Sequence, residues 1–154
     1  MRRFQTRVAE VCDRLNAHQA AYVLVGATAM QLWGTSRATR DIDILIPKDL
    51  VNAERILAGL EEVGYGYARE WLASEIIAKP VTIIGDDPRV DIMTVAWSVP
   101  YVRAAADATV FEVEGVLIPT ASIDHLMDSK RTGRLQDAAD VEVLREIKRL
   151  MRER

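Results

Sequence analysis

The sequence predicts an α/β (α+β) fold, a mixed β-sheet with flanking helices and a short C-terminal helical segment. Three observations predict it. Helix-period and strand-period segments alternate up to Gly64, two hairpin signals follow between Val81 and Pro119, and helical period returns after Pro119. The 154 residues suit one domain over 1–154, large enough to bury about two-thirds of its unfolded surface. Its core is expected over about 20–118 and its C-terminal helices over about 122–152.

Taken in order, Phe4, Val8, Val11, Cys12 and Leu15 recur at helical spacing, which predicts an amphipathic helix over about 2–20. YVLVG (22–26) reads as a short apolar strand ending at Gly26, and ATAMQLW (27–33) as a brief helix closed by Gly34. DIDILI (41–46) is a strand stopped by Pro47. Helical period resumes over 49–63, and Gly64 stands where a helix C-terminus favours glycine. YGYAREWLASE (65–75) is ambiguous. VTII, the five-residue turn-rich GDDPR and VDIMTVA (81–96) predict a hairpin. SVPYVRAAADA (98–108) reads as helix. VFEV-EG-VLIP (110–119) is a weaker hairpin, because Glu-Gly is not a preferred tight-turn pair. Ser122 can cap a helix through about Gly133, and a last amphipathic helix starts at about Asp137.

Composition narrows the function classes. With 49% hydrophobic and 28% charged residues and a net charge of −3, the chain as a whole is no polycation seeking nucleic acid, although a local basic groove is compatible with this. Its single cysteine, Cys12, lies on an apolar helical face and suits packing. No leader-like segment opens the sequence, and no apolar run approaches the roughly 18 residues of a membrane span. The expectation is a cytoplasmic protein with no membrane partner.

The chemistry concentrates in carboxylates. In a strand Asp41 and Asp43 point to one side and Ile42 and Ile44 to the other, with the two aspartate Cα atoms about 6.5–7 Å apart. Such a pair repels itself and invites a shared cation, and oxygen-only ligation favours Mg2+ or Mn2+. Asp91, in RVDIMTV, repeats the pattern, and it joins the pair if the two strands are neighbours. Three carboxylates on adjacent strands can hold two metals about 3.5–4 Å apart, a geometry for in-line phosphoryl displacement. An Asp-x-Asp by itself is more often a solvated strand end than a metal site. Asp86 and Asp87 sit in a turn and read as structural.

VLVGATAMQLWGTSRATRDIDILI (Val23–Ile46) resembles the signature of the nucleotidyltransferase superfamily, the DNA polymerase beta-like fold: a strand ending in Gly-Gly or Gly-Ser, a short helix, then a strand with Asp-x-Asp. A later aspartate on a neighbouring strand matches Asp91. IPTASIDHLMDSKRTGRLQDAADVEVL (118–144) is similar to the small AbiEii-type toxins and their relatives, through Lys130, Gly133, Arg134, Asp137 and Asp140. The resemblance covers roughly half the chain. One departure stands out, since Ala27 follows Gly26 where those proteins carry Ser or Gly.

The resemblance implies transfer of an NMP from an NTP, ATP included, to an acceptor hydroxyl on a tRNA end, a protein or a small molecule such as an aminoglycoside. A toxin–antitoxin setting, with a cognate antitoxin as partner, is implied as well. Asp41, Asp43 and Asp91 would ligate Mg2+ or Mn2+, and Lys130 would neutralise charge on the leaving phosphates. Gly26, Ala27, Thr28, Arg37, Arg40, Lys130 and Asp137 would line the nucleotide. Thr39 would fix the loop before the strand. Two alternatives stay open: a degenerate member kept as a nucleotide- or partner-binding module, which Ala27 favours, and a metal-dependent glycosyltransferase, for which the chain is short. His18 and His125 lack paired metal spacing and read as structural. Of the three tryptophans, Trp97 is the one placed to stack on a base. Neither a phosphate-loop motif nor Gly-x-Gly-x-x-Gly is present.

Overall fold

β-Branched and leucine residues in short apolar runs build a six-stranded sheet. The strands are β1 (Val23–Val25), β2 (Asp41–Leu45), β3 (Val81–Ile84), β4 (Arg89–Met93), β5 (Thr109–Val113) and β6 (Val116–Thr120). A computed structural model of the chain describes residues 2–35, 39–64, 66–96, 99–130 and 134–153. Strand order is β3-β4-β2-β1-β6-β5. β2 runs antiparallel to β1 and parallel to β4, β6 runs parallel to β1, and the β3–β4 and β5–β6 hairpins close the two edges.

The helices are α1 (Arg2–Ala17), α2 (Gly26–Trp33), α3 (Leu50–Glu62), α4 (Ala73–Ala78), α5 (Tyr101–Ala106), α6 (Ile123–Ser129) and α7 (Leu135–Arg152). The ambiguous stretch resolves into a 3₁₀ turn at Gly66–Glu70 followed by α4. Asp49 caps α3, its carboxylate accepting from the Asn52 N–H at 2.7 Å. Ser122 caps α6 as predicted, accepting from the His125 N–H. Three boundaries differ from the sequence reading. α6 stops at Ser129, before Gly133, and α7 starts at Leu135. Arg89 belongs to strand β4, which shortens the hairpin loop to Gly85–Pro88. The β5–β6 turn forms because Glu114 and Gly115 both take positive φ (49° and 82°), as a tight primed turn requires.

Alternation along β2 and β4 divides the sheet into a dry face and a polar one. Ile42 and Ile44 pair with Val90 and Ile92, and all four are fully buried. α1 packs on α3, β5 and β6, while α2 packs on β1, β2 and α6. Cys12 lies in this core, where burial pushes its thiol up to about 12, consistent with packing. Asn52 joins α3 to the start of β1, accepting from the Ala21 N–H at 2.6 Å and donating to the Ala21 carbonyl at 2.9 Å. Among the described residues, no helix is long and apolar enough to cross a membrane.

α1 and α3 approach closely at Gly59, where an added Cβ would lie 3.1 Å from Leu15 Cδ2 and 3.2 Å from the Arg14 carbonyl oxygen. Gly59→Val should therefore overpack the seam and lower stability by about 1–3 kcal/mol, read from the urea midpoint. An unchanged midpoint would show that the seam yields freely.

Candidate functional site

The polar face of the sheet carries the carboxylates. Parallel pairing sets Asp43 opposite Asp91 and Asp41 opposite Arg89, so all four side chains share one face. Asp91 is buried, while Asp41 and Asp43 are half-buried. Arg89 neutralises part of this charge. Its Nε donates to Asp91 Oδ1 at 2.8 Å and its Nη2 to Asp91 Oδ2 at 2.9 Å, and Nη2 lies 3.2 Å from Asp41 Oδ2. These contacts raise the Arg89 pKa further above its ordinary value.

Asp43 is left outside the fork. Burial, then the charges of Asp91 and Asp41, push its carboxyl up from 3.8 to about 7, against a smaller opposing effect of Arg89. Asp43 Oδ1 is buried without a hydrogen-bond partner among the described residues. Gly26 makes room for this carboxylate. It starts α2 with φ of +69°, and a Cβ there would fall 2.1 Å from Asp43 Oδ2.

These residues floor a cleft of about 420 Å3. Val25, Gly26 and Ala27 form one side, and His125, Ser129, Lys130 and Arg134 the facing wall. Small apolar residues (Ala96, Val99, Ala104 and Ala121) complete it. On the wall, Lys130 Nζ lies 3.5 Å from Asp137 Oδ1 and 3.3 Å from Asp140 Oδ2. Arg134 Nε donates to Asp137 Oδ2 at 2.7 Å. Asp137 and Asp140 are themselves buried, so two carboxylates fix two cations at the cleft edge.

Of the residues singled out from sequence, Gly26, Ala27, Asp41, Asp43 and Lys130 line this one cleft. Asp91 lies behind Arg89 on the same face, and Asp137 behind Lys130. Two placements differ from the sequence reading. The Thr28 hydroxyl donates to the Asp41 carbonyl at 2.6 Å, clamping α2 to β2 rather than facing the cleft. Arg40 is exposed and does not line the cleft. Thr39 accepts from the Asp41 N–H at 3.2 Å and so fixes the loop end as expected. Arg37, Trp97 and Gly133 lie outside the described residues.

Sequence reasoning did not single out Arg89, and it read His125 as structural; both line the cleft. Alternation alone places a residue two before Asp91 on the carboxylate face, so the signal for Arg89 was present. His125 lines the cleft with Nε2 3.3 Å from Asp107 Oδ2 and with Nδ1 buried and unpartnered among the described residues. That pairing joins residues from separate elements and leaves no spacing signal.

The donor set suits a hard divalent cation. All three candidate ligands are carboxylates, and Asp43 offers an unused buried oxygen. With the arrangement seen, Arg89 bridges Asp41 and Asp91, and among the described residues no group of three or more His, Cys, Asp or Glu is gathered closely enough to hold a metal.

A two-carboxylate strand beside a third carboxylate, a glycine-initiated helix and cations held by buried carboxylates thus come together around one cleft. The sequence model of the aminoglycoside-2''-adenylyltransferase family matches residues 7–144. The chain belongs to that family, which is of nucleotidyltransferase type. No match to a curated protein was found. The match does not extend to the AbiEii-type branch that the C-terminal segment resembles.

The raised Asp43 carboxyl has a stability consequence in chelated protein. Folding strengthens its hold on the proton, so its contribution is full below about pH 4 and is lost as pH rises through about 7. Wild type should lose up to about 4 kcal/mol from this group between those limits. Asp43→Asn should show a flatter pH profile in denaturant titrations with chelator. Parallel profiles would contradict the assignment.

Proposed function

We propose that the chain transfers a nucleoside monophosphate, AMP by the family's name, from an NTP to an acceptor hydroxyl with Mg2+ or Mn2+. The observation that supports this best is the Asp43–Asp91 pairing across parallel strands, with Asp41 on the same face. Asp41, Asp43 and Asp91 would hold the metal. When bound, a divalent cation neutralises the triphosphate and stabilises the charge that develops on its oxygens.

The remaining steps belong to the chain's own residues. Gly26 has no Cβ to displace the Asp43 carboxylate, and the first N–H groups of α2 would receive the phosphates. The acceptor oxygen forms a bond to the α-phosphorus while the bond from that phosphorus to pyrophosphate breaks, and Asp91 takes the acceptor proton. Lys130 and Arg134, fixed by Asp137 and Asp140, meet the charge on pyrophosphate. The acceptor is a hydroxyl of a small molecule, a protein or a tRNA end. A toxin paired with an antitoxin in the cytoplasm is the setting suggested by the AbiEii-type resemblance.

A second reading, a degenerate nucleotide-binding module, is favoured by one pair of observations. Ala27 stands where relatives by resemblance carry Ser or Gly, and the neighbouring Thr28 hydroxyl is engaged by the Asp41 carbonyl.

Two measurements separate these readings. Mg2+-dependent NTP binding at 100 times its dissociation constant should stabilise by about 2.7 kcal/mol, roughly 5–11 °C in thermal unfolding, and Asp41→Asn/Asp43→Asn should abolish the shift. Label from α-labelled ATP should move to an acceptor, with Asp91→Asn at least about 100-fold slower. Binding without transfer to any acceptor class would favour the module, and no nucleotide shift would defeat both.

A further inference from the structure

The acidic face carries a cation of the chain's own, placed against two of its three carboxylates. Arg89 engages both oxygens of Asp91 and one of Asp41, at 2.8, 2.9 and 3.2 Å. A bidentate fork takes one lone pair on each Asp91 oxygen and sets a positive charge where a metal ion would approach. Its guanidinium stays protonated, so it can yield those oxygens only by moving. Its side chain borders solvent. Arg89 is the first residue of β4, and its side chain is 42% exposed at the cleft. Asp91 is buried and is held in place by the ladder to Asp43 and Ile83.

We propose that Arg89 is a displaceable internal cation that competes with the divalent metal for Asp91 and Asp41. It balances the carboxylates when no metal is bound and turns out towards the cleft when metal arrives. This rests on the reading of the three aspartates as a metal–nucleotide site. Two bound cations that exclude each other are negatively coupled, so removing one raises the affinity for the other.

The test measures Mn2+ binding to the full chain by calorimetry at pH 8, without nucleotide, for wild type, Arg89→Met and Arg89→Lys. Arg89→Met should bind Mn2+ about tenfold more tightly than wild type, and Arg89→Lys, which keeps the charge but loses the fork, should fall between. A second readout is the melting temperature. Chelated Arg89→Met should melt below wild type, and saturating Mn2+ should close the gap, which a purely structural arginine would not allow. Should Arg89→Met fail to fold, Arg89→Lys decides, tighter binding supporting the proposal and unchanged binding overturning it. Equal or weaker Mn2+ binding by the variants, with wild type still binding, would overturn the competition and leave the proposed function standing. No Mn2+ binding by any of the three would overturn both.

Discussion

Parallel pairing of β2 with β4 in a single register is the constraint on which the site depends. Ile42 and Ile44 meet Val90 and Ile92 on the dry face, and those four buried side chains hold the register. A slip of one residue would put them into the cleft and bury the aspartates instead. The core therefore sets the position of the carboxylates. Asp43 and Asp91 share a face because a one-residue slip would wet all four apolar neighbours. Like charges placed this way cost free energy, which the Arg89 fork offsets in part and which, with burial, raises the Asp43 carboxyl.

Charge is arranged across the cleft in two opposed sets. The sheet side is acidic with one exposed arginine over it. The facing wall presents Lys130 and Arg134, each held by carboxylates buried beneath it. In the proposed reaction a metal-bearing triphosphate would meet both sets, its cation on the acidic side and its far phosphates at Lys130 and Arg134. Small residues between them leave space without a polar demand of their own.

The sheet and the carboxylate pair were legible in the sequence because strand alternation is short-range. DIDIL places its aspartates and isoleucines on opposite faces whatever surrounds it, and Ser122 announces a cap by residue type. Arg89 was obscured by its neighbours, since Asp-Asp-Pro reads as turn and drew the arginine into the loop. The hairpin at Glu114–Gly115 shows the reverse, a poor turn pair obeyed because the flanking strands pair well. The partner of His125 was out of reach, because Asp107 comes to it through the packing of the chain after α5 against α6, a tertiary event. The sequence over 65–75 mixes aromatic and charged side chains without a period, and in the structure the turn at Gly66–Glu70 and α4 pack on α3.

The central claim is that Asp41, Asp43 and Asp91 act as one ligand set for a metal-bound nucleotide. Anomalous diffraction from crystals soaked with Mn2+ and a non-hydrolysable ATP analogue tests it most directly. The account predicts a manganese peak within roughly 2.2 Å of oxygens from all three aspartates, triphosphate density beside Gly26, and Arg89 turned off Asp91. Nucleotide density with no such peak, and Arg89 still forked onto Asp91, would contradict it.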